Sequence, residues 1–173
     1  MEESEKTENL RQALETWRRG GASVREIQSL AADLGNQHFA PGIPTLIQLL
    51  DHEDEIVRYN AVNSLAFEFH YEPVADKLVT MLTLDSDSDC RGAAAGGLGT
   101  LCRNSKDRRV LSALGEAALN DTDEYVRSSA YKALQIVNGV SPAEYLELLM
   151  NRSLSVEPEL VKAILAGCSG LRF

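Results

Sequence analysis

The chain has 173 residues, of which 44% are hydrophobic and 25% charged, and these are the proportions of a soluble globular domain. Its 17 basic and 26 acidic residues give a net charge of −9, which disfavours nucleic-acid binding and adsorption to an anionic membrane. No run of 18 apolar residues occurs, and the acidic first residues do not resemble a secretory signal. We therefore expect a cytoplasmic protein with a disordered N-terminus over residues 1–6 and a single domain over residues 7–173.

Two helices are predicted in the first 36 residues. Leu10, Leu14 and Trp17 recur at helical spacing and mark the first helix, which a pair of glycines closes. Ser23 and Glu26 then form a capping box, the pattern that opens a helix. This second helix continues to a glycine at position 35.

The central part of the chain alternates two kinds of predicted helix. The first kind is an apolar run at residues 43–50, 74–82 and 110–119. The second kind begins with an aspartate and covers residues 54–65, 87–98 and 123–134. Two further helices, at residues 141–150 and about 157–166, bring the prediction to ten helices in five antiparallel pairs.

The three aspartate-led segments share one pattern. With the arginine as position zero, each has Asp at −4, an apolar residue at −1, Ala at +3 and Leu at +7, and the apolar residue is valine except for Cys90. Arg58, Arg91 and Arg127 are 33 and 36 residues apart. Positions −1, +3 and +7 share one helical stripe, and Asp at −4 lies one turn before Arg in the favoured acid-before-base order. A near-constant period of this kind indicates a stacked array of repeats.

These repeats resemble a known family. The stretch LGNQHFAPGIPTLIQLLDHEDEIVRYNAVNSLA, residues 34–66, resembles the HEAT repeat, and most closely the short type named after phycobilisome lyases. The resemblance extends over residues 24–137 and implies an all-α fold, a right-handed α-solenoid of about five antiparallel helix pairs. It also implies a structural, non-catalytic ladder between adjacent repeats, formed by Asp54, Arg58, Asp87, Arg91, Asp123 and Arg127.

The resemblance also suggests where a partner binds. In HEAT solenoids the second helix of each pair lines the concave side, and motif positions +1, +2, +4 and +5 avoid the core stripe. We therefore expect the partner-binding residues to be Tyr59, Asn63, Gly96, Tyr131 and Lys132. Tyrosine is enriched in interfaces because it offers a large contact area with few rotatable bonds. The alternative is that one or both tyrosines pack between repeats.

The middle repeat contains an unusual number of glycines. Gly92, Gly96, Gly97 and Gly99 all lie within one predicted helix, where each costs about 1 kcal/mol relative to alanine. One explanation is close packing by the flanking helices. The other is a shallow floor on the concave side, against which a partner segment lies.

A basic cluster follows this helix. Arg103, Lys106, Arg108 and Arg109 occupy a short turn in a chain that is otherwise acidic. They form either a solvated loop or a contact for an acidic partner or a phosphate.

No motif predicts a metal, a cofactor or catalysis. The acidic run at residues 85–89 lacks the glycine and the glutamate of a calcium loop. His52 and Glu53 form a single pair, whereas HEAT-repeat hydroxylases with a di-iron centre carry several. Cys90, Cys102 and Cys168 are few, widely spaced and without an activating cation, so we interpret them as reduced packing residues.

The expected function is non-enzymatic. We predict a protein–protein interaction module or scaffold that binds another protein on its concave face, with no cofactor and with the monomer favoured. The resemblance implies one alternative, a phycobilin lyase-like or other tetrapyrrole-handling subunit. The acidic composition suggests another, an immunity-type inhibitor whose charge attracts a basic partner protein.

Overall fold

The computed structural model describes residues 2–150 and 155–169, and within them it contains ten α-helices and no β-strand. The helices are α1 (Glu2–Arg18), α2 (Val24–Asn36), α3 (Ile43–Leu49), α4 (Glu55–Asn63), α5 (Ala75–Leu84), α6 (Ser88–Leu101), α7 (Arg108–Asn120), α8 (Glu124–Asn138), α9 (Pro142–Met150) and α10 (Pro158–Ser169). A π-helical turn, Ser64–Glu68, continues α4, and 3₁₀ turns precede α3 and α5. The predicted α-solenoid architecture of ten helices is confirmed.

The chain divides into two compact units. Unit 1 is Met1–Tyr71 and contains α1 to α4; unit 2 is Glu72–Phe173 and contains α5 to α10. The division falls just after the π-helical turn. There His70 adopts a left-handed φ of 49°, and Pro73 follows it, so that no helix continues through this segment.

The N-terminus also differs from the prediction. Helix α1 begins at Glu2, so residues 2–6, which the sequence predicted to be disordered, are helical, and Met1 lies outside the described residues. The acidic residues at the start of this helix favour its N-terminal end, where the helix dipole is positive. Leu10 and Leu14 are buried and tie α1 to the rest of unit 1.

In unit 1, α2 and α4 approach closely through small and polar residues. The hydroxyl of Ser64 donates to the backbone carbonyl oxygen of Ala31 at 2.7 Å. The side-chain amide of Asn60 donates to the backbone carbonyl oxygen of Gln28 at 3.0 Å. A Cβ at Gly35 would overlap the Ser64 side chain. The glycine is therefore required here by the distance between the two helices rather than by a turn.

In unit 2, α6 and α8 run parallel and in close contact. A Cβ at Gly99 would lie 3.1 Å from the Cβ of Ala133 and 3.2 Å from its Cα, and a Cβ at Gly92 would overlap the ring of Tyr125. Gly92, near the start of α6, meets Tyr125 near the start of α8, and Gly99 meets Ala133 further along both helices. These two contacts fix how far α6 is displaced along α8. The structure therefore supports the packing explanation for these two glycines.

The two glycines make a testable pair. We expect Gly99→Ala to lower the free energy of unfolding by about 1–2 kcal/mol, because overpacking against the α8 backbone outweighs the gain in helix propensity. Gly92→Ala should cost less, because the obstructing Tyr125 ring is half exposed and can swing aside. Chemical denaturation of both variants measures the difference. An equal loss in the two variants would contradict this account of the packing.

Candidate binding surface

The aspartates of the repeat pattern cap the second helices. Asp54 accepts the backbone N–H of Val57 at 3.0 Å, Asp87 that of Cys90 at 2.9 Å, and Asp123 that of Tyr125 at 2.8 Å. Each carboxylate thus satisfies an N–H group that the first turn of the helix leaves unpaired. This role explains why Asp precedes each helix at a fixed distance.

The arginines of the pattern bind the turn that precedes their own helix. The Nη1 atom of each donates to the carbonyl oxygens five and six residues earlier, at 2.8–3.3 Å: Arg58 to His52 and Glu53, Arg91 to Asp85 and Ser86, and Arg127 to Asp121 and Thr122. The sequence pattern predicts that each arginine pairs with the aspartate one turn before it. It does not indicate these bonds to the backbone.

A third element of the turn lies at position −6. The side chains there are His52, Asp85 and Asp121, and each accepts the backbone N–H of the capping aspartate, at 3.1, 3.0 and 2.9 Å respectively. His52 accepts through Nδ1. This position was not predicted, although a column of His, Asp and Asp stands two residues before each capping aspartate. We call this arrangement, from position −6 to the arginine, the turn clamp.

The expected ladder between repeats is present in unit 2, but its acid is Asp121. Arg91 donates from Nε to Oδ2 of Asp121 at 2.8 Å and from Nη2 to Oδ1 at 3.0 Å. The side chains are only 13% and 10% exposed, so the pair is largely shielded from water. Asp87 and Asp123 cap their own helices, and Asp54, which also caps its helix, accepts a hydrogen bond from Gln28 of the preceding helix pair as well.

These contacts shift the ionisation of the acids. Burial would raise the pKa of Asp121, but the hydrogen bond from Arg91 and the N–H of Asp123 outweigh it and hold the pKa below its usual value. The same hydrogen bond raises the pKa of Arg91. In unit 1 a hydrogen bond from the Gln28 amide, at 3.0 Å, lowers the pKa of Asp54 in the same sense.

The buried stripe of each second helix is wider than the pattern indicated. Positions −1, +3 and +7 are buried in all three copies, as predicted, and position +4 is buried too: Val62, Ala95 and Tyr131 are at most 1% exposed. Position +5, in contrast, is only partly buried in every copy, as Asn63, Gly96 and Lys132. A helix packed on two sides buries a wider apolar stripe than a surface helix does.

Tyr131 is therefore a correction to the predicted binding residues. Its ring is fully buried. Burial, followed by the negative charge of Glu157, raises the pKa of its hydroxyl. The residue thus packs at the start of α10, as the alternative explanation for the tyrosines proposed, and it offers no surface to a partner.

The remaining predicted binding residues are partly exposed. Tyr59 is 36% exposed and Asn63 is half-buried on α4 of unit 1, and Gly96 and Lys132 are half-buried on the parallel helices of unit 2. Burial lowers the pKa of Lys132. Tyr125, which the sequence analysis did not select, is 51% exposed, and its ring covers Gly92. Its position two residues before the arginine lies outside the four motif positions considered.

The cysteines were predicted to be packing residues rather than reactive groups. Cys90 is buried, burial and the charge of Asp107 raise the pKa of Cys102, and the side chain of Cys168 lies outside the described residues. Among the described residues no group of three His, Cys, Asp or Glu side chains is arranged to hold a metal ion. In the same part of the chain no helix is both long and apolar enough to cross a membrane.

A comparison with known families agrees with this geometry. The family model described as HEAT repeats matches residues 7–99 and again residues 76–166. That model describes HEAT repeats in general and does not distinguish the phycobilisome-lyase type. No curated protein matches the sequence.

The Arg91–Asp121 pair predicts a specific loss of stability. We expect Asp121→Asn to lower the free energy of unfolding by about 1.5–3 kcal/mol, because it removes charged hydrogen bonds and leaves a shielded guanidinium unpaired. Asp76→Asn is the matched control, since Asp76 pairs with Arg109 at the exposed surface, where ion pairs contribute little. Denaturation of both variants is the measurement. A loss in the control as large as in Asp121→Asn would refute the assignment.

The same pair predicts a pH dependence. Because the folded-state pKa of Asp121 is lowered, its contribution to stability is complete above the unfolded-state pKa, about 4, and is lost as the pH falls through the folded value. The difference in unfolding free energy between wild type and Asp121→Asn should therefore be constant near about pH 7 and shrink below about pH 4. Unfolding curves over this range test it, and a constant difference down to the acid limit would contradict it.

Proposed function

This chain belongs to the HEAT-repeat family, and we propose that it is a non-enzymatic scaffold that binds a protein partner on the exposed surface of its second helices. HEAT repeats generally mediate protein–protein interactions, because stacked helix pairs present an extended surface. The sequence predicted that a partner binds on the concave side of the solenoid, which the second helices line. The same helices carry the surface proposed here.

The alternation between positions +4 and +5 carries the proposal. Position +4 is buried in all three copies and serves the core, whereas position +5 is partly exposed in all three and differs between them, as asparagine, glycine and lysine. A position that keeps its exposure but changes its chemistry from repeat to repeat gives each repeat a different contact group. This is the arrangement expected of a surface that recognises a particular partner.

Exposed tyrosines support the same surface. Tyr59 on α4 and Tyr125 on α8 are the two tyrosines with the largest exposed fractions among the described residues. Tyrosine combines a large apolar face with a polar tip and is enriched at interface centres. In unit 2, Tyr125 lies on the same helix as Lys132, so an aromatic and a charged contact group occur together.

The roles of the charged residues favour a non-enzymatic function. The six Asp and Arg residues of the repeat pattern cap helices or bind turn carbonyls, and the Arg91–Asp121 pair joins two repeats. These groups are used by the fold and are not left to act on a substrate. The net charge of −9 suggests a partner that is basic overall, since opposite charge accelerates association, with an acidic or carbonyl group of that partner opposite Lys132.

A pull-down from the source lysate with two charge-matched variants tests the proposal. Lys132→Glu reverses a charge on the proposed surface, and Arg11→Glu makes an equal charge change on the exposed side of α1. We expect a partner that binds wild type and Arg11→Glu alike and binds Lys132→Glu at least about ten-fold more weakly. Asn63→Arg tests the same motif position in unit 1.

Circular dichroism and thermal unfolding establish that each variant is folded before binding is compared. A partner that binds all variants equally would contradict the proposed surface. If no protein is retained by wild type, the scaffold function itself is contradicted.

A further inference from the structure

The loop between α6 and α7 is longer than the equivalent loops of the other repeats. It spans residues 102–107, six residues, whereas the loops after the other second helices, at 37–39, 69–71 and 139–141, have three each. The three additional residues account for the spacing of 36 rather than 33 between Arg91 and Arg127. Insertions in repeat proteins lie in surface loops, and these loops frequently carry a binding function.

The fold holds this loop in a strained conformation. Asn104 and Lys106 have φ values of 57° and 55°, in the left-handed region that non-glycine residues seldom adopt. Their backbone N–H groups donate to the last carbonyl groups of α8, those of Ile136 and Val137, both at 3.0 Å. The side chain of Asn104 also accepts the N–H of Val140 at 3.2 Å. The loop therefore presents Lys106 at a fixed place beside the end of α8.

A cleft of about 490 Å³ opens beside this loop. Its volume lies within the range of about 300–1,000 Å³ that is usual for ligand sites. Two exposed cations, Lys106 and Arg108, line it together with Asn138 and the exposed Ala163, and the buried Leu111 and Ile164 form its base. We call it the basic cleft.

The two cations of the basic cleft are not used by the fold. Their neighbours are engaged, since Arg103 lies over the ring of Tyr145 at 4.0 Å and Arg109 pairs with Asp76 at 3.0 Å. Lys106 and Arg108 have no carboxylate partner among the described residues, although the chain carries 26 acids. Arg108 also occupies the first turn of α7, where the helix dipole disfavours a cation.

We propose that the basic cleft binds an acidic segment of a partner protein. A carboxylate of that segment contacts the exposed Lys106 and Arg108, and its neighbouring residues lie against the exposed Ala163, since Leu111 and Ile164 are buried beneath the surface. Charge complementarity selects this occupant, since two adjacent cations without a carboxylate partner among the described residues match an anion. The proposal does not depend on the second-helix surface and concerns a separate site.

Two double variants provide the test. Lys106→Asn with Arg108→Gln removes both charges, and asparagine tolerates the left-handed backbone at position 106. Arg18→Gln with Arg25→Gln removes two exposed charges from unit 1 and serves as the matched control. Circular dichroism checks that both proteins keep their helical content.

The probe is a synthetic library of acetylated, C-terminally amidated hexapeptides, selected on the immobilised wild-type chain and then measured singly by fluorescence anisotropy. We expect the selected peptides to contain Asp or Glu. Their affinity should fall at least about ten-fold for the cleft variant and remain unchanged for the control. Exchange of the peptide's Glu for Gln should cause a similar loss.

Several results would overturn the proposal. These are the absence of any selected peptide, the selection of peptides without a carboxylate, and an equal loss of affinity in both double variants. Displacement of the peptide by an equal concentration of inorganic phosphate would also overturn it, because a simple anion would then suffice. None of these results bears on the proposed second-helix surface, whose variants lie elsewhere.

Discussion

The orientation of the three second helices α4, α6 and α8 depends on the turn clamp that precedes each of them. Within seven residues, a side chain at position −6 accepts the N–H of the capping aspartate, the aspartate caps the helix, and the arginine returns to the carbonyl groups at −6 and −5. Donors and acceptors that a helix start and a turn would otherwise leave unpaired thus find partners within the same short segment. The clamp occurs three times with the same bonds, so each helix starts with the same rotation about its axis.

This common rotation explains the exposure pattern. Because α4, α6 and α8 begin in the same phase, position +4 turns inward and position +5 outward in each copy. The inward positions have to match their neighbours in volume, as Gly99 shows, since a methyl group there would fit against Ala133 only if one of the two helices shifted. The outward positions carry no such restriction. A rigid scaffold with variable contact groups follows from this separation.

The sequence predicted much of the fold because the signals involved are local. The helix pairs, the stripe at −1, +3 and +7, and the capping box of Ser23 and Glu26 all depend on residues a few positions apart, and all are present. The failures have long-range causes. The burial of Tyr131 depends on where α10 lies, which a single helix does not reveal. The rung from Arg91 to Asp121 joins residues 30 apart. The left-handed backbone at Lys106 follows from the loop's docking on α8.

The turn clamp also has a consequence for the kinetics of folding. Its arginine–carbonyl bonds join residues only five and six positions apart, so that closing the turn costs little chain entropy. Contacts of such short range are associated with rapid folding, and in a linear array they occur independently at several places. We therefore expect folding to begin at more than one turn, with no single obligatory nucleus. A substitution that weakens one clamp would then redirect the order in which the helix pairs assemble while leaving the overall folding rate little changed.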